Sequence, residues 1–146
     1  MDRILLTIAI PTYKRCKYAV QNVKHLLPQV NAHRDKVRLI VTDNHSEDGT
    51  FEALTEISRQ NDGVFKFYEQ KENIGWMNNF FFGIENSDSE FVFLLGDDDI
   101  VSPNFLDVVI PLLEQGGDRL GMLHFNSIMA SDNLSGGRLL YPNLEN

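Results

Sequence analysis

Asp97, Asp98 and Asp99 follow directly on the apolar run Phe91-Val92-Phe93-Leu94-Leu95 and Gly96. Three adjacent carboxylates repel one another, and no Lys or Arg lies between Glu72 and Asp118 to offset them. A divalent cation would. Oxygen ligands suit magnesium or manganese, which keep several waters and bridge to substrate phosphates. There is no His/Cys spacing for zinc. The competing reading is a solvated acidic turn ahead of the helix that starts after Ser102. The position straight after a buried strand, beside other polar clusters, favours the cation.

The other clusters sit at similar places. Asp43 is the first polar residue after Val37-Arg38-Leu39-Ile40-Val41-Thr42, where a carboxylate can accept from a nucleobase N–H or a ribose hydroxyl. The same stretch, Asp43 to Thr50, also reads as a helix-capping turn, and Ser46 to Thr50 are assigned mostly to that role. Lys14 and Arg15 follow Pro11-Thr12-Tyr13 and could offset phosphate charge, or simply open an exposed helix. Asn73-Ile74-Gly75 follows a third apolar run. His45 and His124 have no partner at metal or triad spacing, and Cys16 has no paired histidine signature. Two Asn-X-Ser sequons, at Asn44 and Asn133, carry little weight without a secretory signal.

These clusters need elements to position them. Leu5 to Ile10 reads as a buried strand stopped by Pro11, Val37 to Thr42 as a second, Val64 to Glu69 as a third and Phe91 to Leu95 as a fourth, covered on both faces. Met122 to Phe125 reads as a fifth. Between them, Val20, Val23, Leu27 and Val30 recur at helical spacing, with Pro28 expected to end or bend that helix. Phe51, Leu54 and Ile57 mark a second helix, Trp76, Phe80 and Ile84 a third, and Phe105, Val108, Val109, Leu112 and Leu113 a fourth. Trp76 and Phe80 to Phe82 are expected in packing. Strands alternating with helices require a mostly parallel sheet with helices on its faces. Ligands then bind beyond the carboxyl ends of the strands, the edge where all these clusters fall.

With 146 residues and 42% hydrophobic side chains, the chain suits one domain with a proper core. The expected boundaries are residues 1–130 for that domain and 131–146, rich in Ser, Asn, Gly and Pro, for a loop or frayed end. One cysteine permits no internal disulfide, which fits a reducing cytosol. No apolar run reaches the roughly 18 to 20 residues that span a bilayer. Net charge is −8, split between 11 basic and 9 acidic residues over 1–71 and 2 basic and 12 acidic over 72–146. An acidic C-terminal half is a poor surface for nucleic acid.

Taken in order, Leu6-Thr7-Ile8-Ala9-Ile10-Pro11-Thr12-Tyr13-Lys14-Arg15, Ile40 to Thr50, Asn73-Ile74-Gly75 with Asn79-Phe80, and Gly96-Asp97-Asp98-Asp99-Ile100 with Pro103 resemble four segments of family 2 glycosyltransferases. The resemblance covers residues 4 to 110. It implies a Rossmann-like GT-A fold, a three-layer α/β/α sandwich, that binds a nucleoside-diphosphate sugar and inverts the anomeric carbon. Pro11, Thr12, Tyr13, Arg15, Asp43, Asn73 and Asp97 would form the nucleotide site, with Asp43 on the base. Asp98, with Asp97 and Asp99, would hold Mg2+ or Mn2+. Asn44, Lys14 and Gly96 depart from the family's frequent residues and leave the nucleotide open.

The resemblance places the general base well downstream of the acidic motif. Only 47 residues follow Asp99, so the base is expected beyond Asn146, with Asp132 and Glu145 the late carboxylates present. The implied acceptor is a saccharide or lipid-linked saccharide of bacterial surface polysaccharide. The implied setting is the cytoplasm, with peripheral association of the full enzyme at the inner face of the membrane. Two other readings remain: a non-catalytic nucleotide-sugar-binding or assembly module, and a sugar nucleotidyltransferase. The latter is disfavoured because Pro11 to Arg15 lacks the glycines of a phosphate loop.

Overall fold

The structure, a computed structural model, describes residues 4–125, 127–130 and 137–139. The chain divides into two compact units, Met1–Glu114 and Gln115–Asn146. In the first, β1 (Leu6–Thr12), α1 (Cys16–Ala32), β2 (Val37–Asp43), α2 (Thr50–Gln60), β3 (Phe65–Glu69), α3 (Trp76–Glu85), β4 (Phe91–Leu94) and α4 (Phe105–Gly116, reaching into the second unit) alternate along the chain. The four strands form one parallel sheet in the order β3-β2-β1-β4. With right-handed crossovers, α1 and α2 cover one face and α3 the other. This is the expected α/β/α architecture.

β1 and β2 are central and buried almost throughout, so their side chains are apolar on both faces. Ile8, Ile10, Leu39 and Val41 of the sheet, Val23, Leu26 and Val30 of α1 and Leu54 of α2 are all fully buried and make up the core. β4 is half-buried along its length rather than covered on both faces, because among the described residues it is the edge of the sheet. The direction of connection reverses between β1 and β4. Their carboxyl ends therefore flank the topological switch point, where a crevice must open.

Several local expectations are corrected. β1 runs through Pro11 to Thr12. The carbonyls of Leu5 and Ala9 accept from β4, so the odd-numbered residues of β1 face that strand, and Pro11's missing N–H points past Leu94, where β4 has ended. Of the two outcomes expected at Pro28, an end or a bend, the end does not occur: α1 continues to Ala32. Pro28 lies on the exposed face, and the carbonyl it leaves unpaired, that of Lys24, is on the solvent side. α3 buries Asn79 and Gly83 rather than Trp76, Phe80 and Ile84, and Trp76 is 73% exposed. The reason is the close approach at Gly83, where an added Cβ would lie 3.3 Å from Ala9 Cβ.

In the second unit Met122 to Phe125 is not a strand: Leu123 and Phe125 are half-buried, and Met122 is 79% exposed. The strand instead is β5 (Ile128–Ala130), paired antiparallel with β6 (Gly137–Leu139) inside the segment expected to be loop. Main-chain pairing of three residues needs no apolar pattern, so composition did not reveal it. Asp132 and Glu145 lie outside the described residues.

Candidate functional site

The parallel register sets Thr12 beside Asp43 at the ends of β1 and β2. Each strand end is followed by a loop, and the loops are stitched together. Asn44 N–H donates to Thr12 O (3.0 Å), Lys14 N–H to Ser46 Oγ (2.8 Å) and Cys16 N–H to Asp48 Oδ2 (3.1 Å). Lys14, His45 and Glu47 all take positive φ to make these turns. Burial works against the Asp48 carboxylate. Donation from the Thr50 hydroxyl and from the N–H groups of Cys16 and Thr50 outweighs it and holds the group below its usual range.

Across the switch point, the loop after β4 turns at Gly96–Asp99, with Asp99 N–H donating to Gly96 O (3.2 Å). Its carboxylates reach back to β1. Thr12 Oγ1 donates to Asp97 Oδ2 at 2.7 Å, and Arg15 donates to Asp97 Oδ1 at 3.0 Å and to Asp98 Oδ2 at 2.8 Å. The repulsion of the triplet, uncompensated near it in sequence, is thus offset by a cation from the other end of the unit. Asp97, hydrogen-bonded first, and then Asp98 raise the Arg15 guanidinium above its ordinary range. Asp97 is buried, while Arg15 and Asp98 are each about half exposed.

Thr12, Arg15 and Asp97 are among the residues that line a cleft of about 290 Å3, whose walls do not include Asp98 or Asp99. Six of the seven residues expected at a nucleotide site are in it: Pro11, Thr12, Tyr13, Arg15, Asn73 and Asp97. Asp43 is not. Its carboxylate is fully buried and accepts from the Ser46 N–H (3.2 Å) and the Ser46 hydroxyl. Burial pushes it above the ordinary carboxylate range, against those two bonds.

The remaining walls are Asn44, Asn79, Trp76 and Phe80, none of them singled out from sequence for this role. Asn79, buried, donates to Thr42 O (2.8 Å) and accepts from Gln70 (3.4 Å), tying α3 to the strand ends. Asn44 donates to Asn73 Oδ1 (3.0 Å) and accepts from Ile74 N–H (2.9 Å). The available signal was position: Asn79 is a polar residue directly before the aromatic run Phe80 to Phe82, and Trp76 and Phe80 stand one helical turn apart. A larger hollow of about 460 Å3 has Glu47, Asp48, Glu52 and Glu69 in its walls, a lining that repels a diphosphate.

The fit to a divalent cation rests on the turn itself. A Cβ built on Gly96 would lie 2.6 Å from Asp99 Oδ2 and 3.3 Å from Asp98 Oδ1, so glycine lets the two carboxylates fold over the turn. The donors are hard oxygens, as Mg2+ and Mn2+ require. Both Asp97 oxygens are already engaged. Among the described residues, no group of three His, Cys, Asp or Glu side chains is arranged to hold a metal. Two protein carboxylates, with phosphate and water completing the shell, match the way magnesium is bound beside phosphates.

Comparison with known proteins adds the following. Over 116 residues the chain is 25% identical to abequosyltransferase RfbV of Salmonella typhimurium, covering 79% of this chain and 34% of that protein. Among solved structures, S. aureus TarS 1-349 superposes with a TM-score of 0.66 at 20% identity, covering 77% of this chain and 33% of that one. Mannosyltransferase PcManGT from Pyrobaculum calidifontis, in complex with GDP-Man and Mn2+, gives 0.64 at 20% identity, covering 75% and 32%. These structures share the fold. The chain spans about a third of the length of each of these relatives. The pattern described as Glycosyl transferase family 2 matches residues 7–136, from the first strand through the acidic turn and beyond. The chain belongs to glycosyl transferase family 2.

Proposed function

We propose that this chain is the donor-binding part of an inverting, metal-dependent glycosyltransferase. It would take a nucleoside-diphosphate sugar and pass the sugar to the hydroxyl of a saccharide or lipid-linked saccharide in bacterial surface polysaccharide synthesis, at the cytoplasmic side of the membrane. The observation that carries this reading is the convergence of Thr12, Arg15 and Asp97 from two strand ends on one cleft. Membership of the family supports it, as does the likeness to an abequosyltransferase.

In this reading the diphosphate lies at the charged mouth and the nucleoside along Pro11, Thr12, Tyr13 and Asn73. Thr12 fixes Asp97 by hydrogen bonding, and Asp97 in turn fixes Arg15, whose half-exposed guanidinium faces the phosphates. Asp43 acts on the nucleoside end indirectly: it holds Ser46, and Ser46 holds the Lys14 backbone. Asp98 and Asp99 would hold the cation, which supplies Lewis-acid stabilisation of the charge on the departing diphosphate. Breaking the bond from the anomeric carbon leaves that charge on the diphosphate, and an acceptor hydroxyl attacks the opposite face as a general base takes its proton. Asp97 is not that base, because both of its oxygens are committed. The base is assigned outside the cleft residues.

Calorimetry of the chain with UDP, GDP, CDP and dTDP, each with and without Mn2+, tests the reading. Metal-dependent binding of at least one is expected. Binding of none overturns it.

A further inference from the structure

Asn22 lies in the middle of α1, on the face otherwise made of Ala19, Val23, Leu26, Leu27 and Val30, and it is fully buried. A fully buried amide is unusual in such a stripe. Its Nδ2 donates to Gly96 O at 3.0 Å and to Asp99 O at 2.8 Å, with Asp97 O at 3.5 Å. Three carbonyl oxygens around one end fix the amide's orientation, since the reverse would set oxygen against oxygen. Among the described residues its own Oδ1 has no partner. An unpaired buried acceptor is destabilising, and an aliphatic residue of the same size would remove it. The stability of the helix does not require this asparagine.

The two carbonyls it grips belong to the first and last residues of the turn that carries Asp97, Asp98 and Asp99. That turn is closed within itself only by the 3.2 Å bond from Asp99 N–H to Gly96 O. Arg15, the N-cap of the same helix, holds the turn by the buried Asp97 and half-exposed Asp98 carboxylates, and Asn22 holds it by its backbone. We infer that Asn22 is a positioning residue of the donor site, which sets the height and direction of the acidic turn. The inference rests on the proposed function for what the turn does, but not for the clamp itself.

The test uses Asn22→Leu, with Asn22→Ser as a milder second variant that keeps one donor. In the full chain, hydrogen exchange by NMR is followed at the Asp99 amide and at Ile8 and Ile10 in β1. The four nucleoside diphosphates with Mn2+ are then titrated by calorimetry. In Asn22→Leu, exchange at Asp99 rises at least tenfold while Ile8 and Ile10 keep their protection. The urea midpoint falls only modestly, because the Gly96 and Asp99 carbonyls lose a donor while the unpaired Oδ1 is also removed. Nucleotide affinity falls about tenfold. Asn22→Ser falls between.

Unchanged exchange at Asp99 overturns the assignment. So does loss of protection throughout β1 in both variants, which would make Asn22 a general structural residue. So does unchanged nucleotide affinity in a variant with a loosened turn. If the clamp is seen by exchange but the wild type binds no nucleotide, the proposed function fails and the clamp stands without it.

Discussion

Thr12 hydrogen-bonds, and Arg15 pairs with, a carboxylate that the fold has buried. Asp97 is nearly inaccessible, so each partner removed leaves a charged oxygen without compensation. Thr12→Val keeps the shape and loses one bond to a charged group, which is expected to cost about 2 kcal/mol in urea unfolding. Arg15→Gln is expected to cost less, about 1 kcal/mol, because the guanidinium is half in water. Both should weaken nucleotide binding. Asp43 supplies a pH test. Its folded pKa stands above the usual 3.8, so the native state binds more protons than the unfolded one in the interval between. Stability of the wild type relative to Asp43→Asn should therefore fall as pH rises from 3.8 through the raised value, and level off above it. A difference that does not change with pH would contradict the burial described. At this scale the acidic triplet, Thr12 and Arg15 were legible because they are polar residues next to apolar runs. The engagement of Asp97 with Arg15 was not, since the two are 82 positions apart and only the sheet brings them together. Asn22 was hidden differently, as the one polar member of an apolar stripe whose partners are backbone atoms.

The loop before α3 is the element on which the uncharged wall depends. Gly75, its N-cap, has φ 85° and ψ 152°, a backbone region open essentially to glycine. Gly75→Ala should cost about 1–3 kcal/mol and displace Asn73 and Trp76 from the cleft, read as a lower unfolding midpoint together with weaker nucleotide binding. If the midpoint alone falls, the loop is not part of the site. The strands and helices of the first unit were readable because burial on both faces gives continuous apolar runs, and helix spacing gives stripes. What escaped was the rotation of α3. Trp76 and Phe81 lie on its exposed side, and Phe80, Phe82 and Ile84 are half-buried. The fully buried line is Asn79 and Gly83, set by close approach rather than hydrophobicity. A periodicity argument weights size and apolarity, so it set the buried line one residue along, on Phe80 and Ile84. The hairpin of β5 and β6 escaped because main-chain pairing leaves little trace in composition.

For the molecule as a whole, binding to the folded state alone must raise its stability. A nucleoside diphosphate with Mn2+ at a hundred times its dissociation constant should add about 2.7 kcal/mol to unfolding, seen as a rise of several degrees in the thermal midpoint, and EDTA should abolish it. The parallel order β3-β2-β1-β4 carries one more implication, for assembly. The hydrogen bond between Thr12 and Asp97 closes a stretch of 85 positions, and it cannot form until the last of the four strands docks beside the first. In refolding, then, the β1–β2–β3 part can zip early through its nearer neighbours, yet ligand capture should emerge only in the slowest phase, making nucleotide fluorescence a clock for the final strand's arrival.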